Sequence, residues 1–422
     1  MYWLVEEKEQ LEILQKIGYE EVFIEVIPYS YNTHPTQNPI SLVYFKPIDG
    51  EKGYMLCINH SESFSLDINE VYALLKKCKV VYCRDKKETL HYFPLKALYD
   101  ITPTYNTYIP DKPYVYNFFY QQHRDKKDIN RIIPIVKHYE YCETIFENLK
   151  PYNIRYEDSY YNWFNKKSSV VFSAIETSGL KVNKELFEQY FHPIEGDYVY
   201  TQYNLKTLTT RPSNSFNGVN YAALNKDNGA RKCFIPRNSF FIEMDISAYH
   251  PTLLANLIGY RFNTMDIHSA FAEMYKVDYQ KAKELTFKQL YGGVFEQYKD
   301  LEFFKKVKVY TDNLWKDFKE NGWIECPISG YIYTDKGLGD MKPQKLLNYV
   351  LQNLETSTNV SILWEIFQLL RGKKTKLVLY TYDSFLFDWD ENEPQLIEDI
   401  KKVFNKYELN IKINQGNDYD FE

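Results

Sequence analysis

Two distant apolar segments of the chain each carry an aspartate at the point where a β-strand would end. Residues 238–246 predict a buried strand that ends near Asp245. Residues 375–389 predict two apolar strands separated only by Asp383 and its neighbours, which is typical of a tight hairpin. For one such aspartate alone, a turn residue is the simpler interpretation. Two carboxylates in apolar surroundings need a compensating charge, so the pair predicts a divalent metal site.

A strong helix pattern lies between the two aspartates. In residues 278–292, Lys283, Phe287 and Tyr291 recur every four positions and therefore share one face. Such a face can bind a triphosphate through its lysine and stack a base and sugar on its aromatic rings. Alone, it would equally be the exposed side of an amphipathic helix. Beside two metal-binding aspartates, it predicts nucleotidyl transfer, because two oxygen-ligated magnesium ions are the usual centre for that chemistry.

The 422 residues favour two or three domains. The first 120 residues or so predict an α/β module, in which strands and a helix alternate with turn signals. Its predicted strands are 21–27, 40–45, 53–58 and 79–83, and its predicted helix is 68–77. Prolines at positions 103, 110 and 113 indicate a boundary, after which the pattern from about 130 to 178 is mainly helical.

Composition excludes some classes of protein and leaves nucleic-acid binding open. With 44% hydrophobic and 26% charged residues and no apolar run of about 18 residues, neither a disordered chain nor a membrane partner is favoured. The six cysteines form no CxxC pair, which argues against a zinc site and a disulfide framework. The net charge of −6 arises from the last 40 residues, so a local basic stripe remains compatible with phosphate binding. With no signal-type start, we expect a soluble, cytoplasmic protein.

Further segments complete an ordered set of motifs. They are 207–214 with Asn220, 229–234, 240–250, Asp266-Ile-His268, 281–292, 348–352 and Tyr382-Asp383-Ser384. In this order, the set resembles the polymerase domain of family A DNA polymerases, the class of bacterial DNA polymerase I and many phage replicases. The resemblance covers about residues 168–422. A phage-type source would place the protein in the host cytoplasm.

The resemblance implies a role for each matching residue. Asp245 and Asp383 are implied to be the catalytic aspartates, which bind two Mg²⁺ ions together with the backbone carbonyl of Ile246, and Mn²⁺ is expected to substitute. The residues implied to bind the incoming nucleotide are Lys283, His268, Arg231, Phe287, Tyr291 and His250. Those implied to bind DNA are Arg211, Asn214, Asn220, Asn348 and Gln352. The implied activity is template-directed extension of a primer 3′-hydroxyl with deoxynucleoside triphosphates during DNA replication.

The same resemblance implies the fold. We expect an α/β (α+β) chain in which a ribonuclease H-like, exonuclease-type domain precedes a right-hand polymerase with palm, fingers and a very short thumb. The expected domains are a degenerate 3′–5′ exonuclease-like domain at 1–125, a helical connector and vestigial thumb at 126–205, and palm and fingers at 206–422. The segment between Asn183 and Thr207 is too short for two long antiparallel helices at about 1.5 Å per residue. We therefore expect low processivity, or a replisome partner that replaces the thumb.

Three positions depart from the pattern of the family. His250 stands where the family has a glutamate that packs against the motif B ring and excludes a 2′-hydroxyl, so the choice of sugar is open. Tyr279 stands where an arginine is expected. The first strand of the N-terminal module offers only Glu25 where exonuclease chemistry starts with Asp-x-Glu, which predicts the absence of proofreading. An unrelated α/β module is the alternative for this part of the chain.

Two other classes of function remain open. The Tyr-Asp-Ser triplet at Tyr382 is close to that of single-subunit RNA polymerases, so an RNA polymerase or primase-like enzyme is one alternative. The other is a catalytically weak protein that binds primer–template and needs a partner. Family B polymerases fit less well, because they place an additional aspartate where Thr381 stands and use a shorter spacing in motif B.

Overall fold

The computed structural model of the chain describes residues 2–102, 127–149, 159–264, 266–334 and 341–421. The chain divides into two compact units, Met1–Thr177 and Ser178–Glu422. This division falls inside the predicted connector 126–205, and the predicted bounds at 125 and 205 remain predictions. The proline-punctuated boundary at positions 103–113 lies outside the described residues.

The first unit is built on a six-stranded mixed sheet. Its strands are β1 (Trp3–Val5), β2 (Glu21–Pro28), β3 (Ile40–Pro47), β4 (Tyr54–Cys57), β5 (Val80–Cys83) and β6 (Leu98–Asp100). They are ordered β1-β4-β3-β2-β5-β6. The strands β2, β3 and β4 pair antiparallel, whereas β5 and β6 continue parallel to β2. The strands and the helix predicted for this module are all present.

Helices cover both faces of that sheet. The helices of this unit are α1 (Lys8–Ile17), α2 (Ile68–Lys77), α3 (Lys86–Tyr92), α4 (Ile135–Leu149), α5 (Ser159–Trp163) and α6 (Ser169–Ser178). Alternate residues of a strand point to opposite faces, so β2 contributes to two separate cores. Val22 and Ile24 pack with residues of α1 and α2, while Phe23 and Ile27 pack with residues of α4. The central strand is therefore buried on both sides.

The second unit is built on a four-stranded antiparallel sheet. Its strands are β12 (Phe240–Ile246), β15 (Lys376–Thr381), β16 (Ser384–Trp389) and β17 (Ile411–Gly416), in the order β15-β16-β12-β17. Shorter strands of this unit are β7 (Leu180–Lys181), β8 (Tyr198–Val199), β9 (Tyr203–Asn204), β10 (Ser213–Phe216), β11 (Val219–Asn220), β13 (Trp323–Glu325) and β14 (Ile332–Thr334). The predicted buried strand and the predicted hairpin are confirmed, and they pair directly with each other.

The helices of the second unit include one long buried helix. They are α7 (Lys184–Tyr190), α8 (Tyr249–Leu257), α9 (Ile267–Tyr275), α10 (Tyr279–Gly292), α11 (Glu302–Asn321), α12 (Pro343–Leu369) and α13 (Gln395–Lys406). α12 has 27 residues and is buried along most of its middle. The segment 184–206 holds the seven-residue α7 and the two-residue strands β8 and β9.

These elements confirm the predicted mixed α/β class. All six cysteines are buried free thiols. Among the helices that the structure describes, none is both long and apolar enough to cross a bilayer.

Candidate active site

The two predicted aspartates meet at one end of the four-stranded sheet. Asp245 is opposite Ser384 in the β12–β16 pairing, and Asp383 directly precedes Ser384 in the hairpin turn. The backbone N–H of Ile246 donates to the carbonyl of Asp383 at 2.8 Å, which fixes the two strand ends against each other. Tyr382 completes the turn in the left-handed region at φ +63°. The register of the sheet thus brings together two residues that are far apart in the sequence.

The electrostatics of this sheet end favour a bound cation. Burial raises the pKa of Asp245 to about 6, and the negative charges of Asp383 and Glu243 add to this effect. Desolvation also raises the pKa of Asp383, although this residue reaches solvent at the turn. Ionising either carboxylate in the folded protein therefore costs free energy, and a nearby cation would offset this cost. Carboxylate oxygens are the ligands that Mg²⁺ prefers, so Asp245 and Asp383 fit a magnesium site.

A third carboxylate, Glu243, lies beside the pair and escaped the sequence argument. It is buried, and it accepts hydrogen bonds from Ser384 Oγ at 2.7 Å and from Asn414 Nδ2 at 3.0 Å. The period of two along a strand places residues 243 and 245 on the same side, which was the available signal. With both oxygens hydrogen-bonded, Glu243 joins β12 to β16 and β17 and adds negative charge to the site.

α10 presents the predicted face. Asp278 caps the helix by accepting from the backbone N–H of Lys281 at 2.9 Å. Lys283, Phe287 and Tyr291 are all exposed along one side. The rings of Phe287 and Tyr291 are stacked, with centroids 6.1 Å apart and planes within 6°. The helix therefore offers a cation followed by a flat aromatic surface.

His268 lies against that face. Asp266 caps α9 by accepting from the backbone N–H groups of His268 and Ser269 at 3.1 and 3.3 Å. The imidazole contacts the rings of Tyr279 and Phe287, at 5.7 and 6.3 Å between centroids. Burial and the positive charge of Lys283 lower the pKa of His268, so the ring is neutral at pH 7. Its Nδ1 is buried and has no hydrogen-bond partner among the described residues, which suits contact with a ligand.

His250 is held from both sides of its ring. Its Nδ1 is hydrogen-bonded to the hydroxyl of Tyr291, and its Nε2 to the carboxylate of Glu355 in α12. Arg211 donates from Nε to the other oxygen of Glu355 at 3.2 Å. The ring contact of His250 is thus with Tyr291, one turn beyond the Phe287 that the sequence suggested. The sequence argument missed Glu355, although a glutamate in the apolar middle of a long helix was visible.

Two of the predicted DNA-binding residues lie on α12, and one of them contacts the end of α10. Asn348 donates from Nδ2 to the carbonyl of Tyr291 at 3.3 Å and so ties α12 to α10. Gln352 follows one turn later on α12 and is half-buried. Arg211 lies at the turn of the hairpin, with its guanidinium 3.7 Å from the centre of the Tyr382 ring. Asn348 therefore lies beside Tyr291, and Arg211 lies beside the turn that carries Asp383.

Other predicted residues are used within the fold. Asn214 is buried and donates to the carbonyl of Tyr380 at 3.3 Å, whereas Asn220 is exposed. Arg231 donates to the carbonyl of Leu224 at 3.2 and 3.3 Å, and its guanidinium lies 4.5 Å from the ring centre of Tyr419. The roles of these residues in binding DNA or nucleotide stay predictions.

The first unit contains a separate cluster of polar side chains. Within the described residues, the one group of three or more His, Cys, Asp or Glu ligand atoms within 4.8 Å of one another is His34, His91 and Glu176. The ammonium of Lys87 lies 2.7 and 2.9 Å from the two oxygens of Glu176, and His91 Nε2 lies 3.0 Å from one of them. The backbone N–H of Thr36 points at His34 Nδ1. Since Lys87 already compensates the charge of the carboxylate, this cluster is a buried ion pair.

Comparison with known proteins gives the fold. No protein-family model and no curated protein sequence matches the chain. Among solved structures, the chain is similar to the POL domain of Pol1 from M. smegmatis, which was solved in complex with DNA primer-template and dNTP. The TM-score is 0.74 at 13% sequence identity, and the match covers 100% of this chain and 99% of that one. The chain therefore has the fold of a DNA polymerase domain over its whole length.

The ionisation of Asp245 gives a first prediction. An aspartate must be ionised to bind a divalent ion, and Asp245 is largely protonated below its pKa of about 6. We expect the affinity for Mg²⁺ to fall by about tenfold per pH unit below that value and to level off above it. Calorimetric titration of Mg²⁺ or Mn²⁺ between about pH 5 and pH 8 measures this. An affinity that is constant over this range would contradict the assignment.

Proposed function

We propose that the protein is a template-directed DNA polymerase, which extends a primer 3′-hydroxyl with deoxynucleoside triphosphates and releases pyrophosphate. The observation that carries the proposal is the convergence of Asp245 and Asp383 at one sheet end, where the positive charge of Lys283 on α10 acts on the carboxylate of Asp245. The fold of a DNA polymerase domain supports the same conclusion. Primer–template DNA and deoxynucleoside triphosphates are the proposed partners.

The mechanism that this site supports is mainly electrostatic. Asp245 and Asp383, with the backbone carbonyl of Ile246, would hold two Mg²⁺ ions, which would activate the attacking hydroxyl and stabilise the leaving oxygen. Lys283 binds the negative charge of the triphosphate, and neutral His268, protonated at its buried Nδ1, would donate a hydrogen bond to a phosphate oxygen. The surface of Phe287 and Tyr291 positions the nascent base pair by stacking.

His250 forms the wall of the sugar pocket in this proposal. It lies at the start of α8 and contacts Tyr291 at the end of the nucleotide-binding face. A bulky ring held close to C2′ would exclude a 2′-hydroxyl, as a glutamate does in the family that the sequence resembles. A preference for deoxynucleotides is therefore proposed, and ribonucleotide incorporation is the alternative that the imidazole leaves open.

The first unit is proposed to be an exonuclease-like domain without proofreading. Glu25 on β2 is buried, and Arg84 donates to it from Nε at 3.1 Å and from Nη2 at 2.6 Å. A guanidinium thus occupies the position next to the carboxylate where nuclease chemistry would need a metal ion. The mixed order of the strands, with β2 central, is compatible with a ribonuclease H-like sheet.

The short segment 184–206 supports a reduced thumb. α7 has only seven residues, and the strands that follow have two each. Such a segment cannot extend along the minor groove of a primer–template as two long helices do. We therefore propose that the enzyme dissociates after few additions, or that another replication protein holds the DNA.

The proposed function is tested by primer extension on a DNA template with Mg²⁺. Deoxynucleotides and ribonucleotides are offered separately, and a trap for released enzyme measures processivity. Extension with deoxynucleotides is expected, in short products. Extension with ribonucleotides alone would favour the RNA polymerase alternative, whereas binding of primer–template without extension would favour the binding-protein alternative.

Lys283 provides a second prediction. Because its ammonium would neutralise triphosphate charge, Lys283→Ala should lower kcat/KM for the incoming nucleotide by about 10- to 10²-fold, equivalent to a charge-assisted hydrogen bond of about 1.5–3 kcal/mol. Steady-state single-nucleotide insertion measures the change. Lys288→Ala on the same helix is the matched control, since Lys288 pairs with Glu284 on the surface. Equal effects of the two substitutions would contradict the role of Lys283.

A further inference from the structure

Glu355 is a buried carboxylate that the proposed mechanism does not yet use. It lies in the middle of α12 and is only 2% exposed. A carboxylate in such a position is costly unless it is paired and hydrogen-bonded. Its two oxygens are bonded to different partners, Arg211 and His250, which belong to different segments of the chain. Glu355 therefore joins three separate parts of the second unit around one charge.

The hydrogen bonds of this network have a fixed direction. A carboxylate only accepts, so the His250 nitrogen that faces Glu355, Nε2, must carry the proton. In a neutral ring, Nδ1 is then an acceptor, and the hydroxyl of Tyr291 donates to it. The ring of Tyr291 is exposed, but desolvation of its hydroxyl raises the pKa to about 12, so this donor remains protonated at neutral pH. The order of donation is from Tyr291 to His250 to Glu355.

We propose that Glu355 is a positioning residue that sets the sugar selectivity of the nucleotide site through His250 and Tyr291. The inference rests on the proposed polymerase function and deepens it. Glu355 itself is buried behind the imidazole and need not touch the nucleotide. By accepting a hydrogen bond from Nε2, Glu355 selects the tautomer of His250 and holds the imidazole in one orientation, in which the ring would face the sugar.

The geometry explains why the sugar pocket depends on this charge. His250 is bonded at both nitrogens, so its imidazole has one orientation relative to the exposed ring of Tyr291. Without the acceptor at Nε2, the ring is free to rotate about its side-chain torsions and to leave space for an additional hydroxyl. The same carboxylate also holds Arg211, which lies over Tyr382 next to Asp383. Loss of Glu355 should therefore loosen the pocket wall more than the metal site, which the sheet register holds in place.

The test measures kcat/KM for a deoxynucleotide and for the matching ribonucleotide with the full chain. In Glu355→Gln, an amide NH2 replaces one of the two oxygens, so either Arg211 or His250 faces a donor instead of an acceptor. The ratio of the two values should therefore fall by about tenfold or more, the scale at which a pocket wall discriminates one small group. Glu365→Gln on the same helix should leave the ratio unchanged, because Glu365 bonds Lys406 and Tyr407 at the surface.

A second variant keeps the test independent of folding. Tyr291→Phe removes the hydroxyl that bonds His250 but leaves the buried carboxylate intact, and it should lower the ratio in the same direction. In the double variant of Glu355→Gln with His250→Gln, the effects on the ratio should be less than additive, because one residue acts through the other. Equal losses for both sugars, or an unchanged ratio in Tyr291→Phe, would overturn the inference. Absence of extension by the unsubstituted protein would overturn the proposed function itself, and this inference with it.

Discussion

Replacing Asp383 with Asn is expected to abolish primer extension, with a loss of about three orders of magnitude or more. Metal-ion stabilisation of the transferred phosphoryl group is worth several kcal/mol, and each 1.36 kcal/mol corresponds to about a factor of ten. The same loss is expected for Asp245→Asn, since the two residues share one sheet end. Single-turnover insertion of one deoxynucleotide with Mg²⁺ measures both.

The stability of these variants separates chemistry from folding. The pKa of both carboxyls is raised by desolvation, so their ionised forms are less favourable in the folded than in the unfolded chain. At a pH above the pKa of the aspartate in the folded protein, the neutral amide of either Asn variant avoids the free-energy cost of the buried charge. The melting temperature of the variant should therefore be unchanged or higher. Asp399→Asn on α13 is the control, because that residue forms a surface pair with Lys402. Retained turnover, or lost turnover with a lowered melting temperature, would contradict the assignment.

Glu176→Ala should strongly destabilise the first unit, by about 3–5 kcal/mol, the usual cost of leaving a buried charge without its partner. The carboxylate is fully buried and bonds both Lys87 and His91. Its pKa is lowered, against the effect of burial, by the charge of Lys87 and by the hydrogen bond with His91. The stability it contributes is therefore present above its unfolded pKa and is lost as the pH falls through the lower, folded value. Denaturant unfolding of the full chain, followed by a probe in the first unit, measures the change.

Glu140→Ala is the matched control for that substitution. Glu140 also lies in the first unit, but it pairs with Lys137 on the surface, where such pairs contribute about 0–1 kcal/mol. Similar losses for Glu140 and Glu176 would contradict the buried ion pair. A rise in melting temperature on addition of Zn²⁺ that depends on Glu176, His91 and His34 would instead identify the cluster as a metal site.

The sequence predicted the elements that have a strong local pattern. The apolar run up to Asp245, the hairpin around Asp383 and the helix with Lys283, Phe287 and Tyr291 each occur where periodicity placed them. Local signals suffice there because strand alternation, a two-residue turn and a four-residue repeat are properties of neighbouring residues. That these three elements belong to one site was inferred from the order of the motifs along the chain.

The partners of buried charges could not be predicted in the same way. Arg211 precedes Glu355 by 144 positions, and nothing local to either residue indicates that they bond. The same holds for Lys87 and Glu176, which are 89 positions apart. A single sequence indicates that a buried glutamate needs a partner, but only the tertiary structure identifies it. The sequence also does not indicate which polar residues are buried: Asn214, which the resemblance implies to bind DNA, is buried and bonds the backbone of Tyr380 in β15.

The hairpin that carries Asp383 makes the geometry of the candidate active site dependent on the number of residues in β16. Asp383 occupies a two-residue turn, and β16 is paired with β12 residue by residue up to the position of Asp245. An insertion of one residue within β16 would shift every following pair and turn the inward side chains outward. An insertion in the exposed turn at Glu391 or Asn392 leaves that pairing intact. Related chains should therefore differ in length beyond Trp389 and keep the spacing from Asp383 to Trp389 constant.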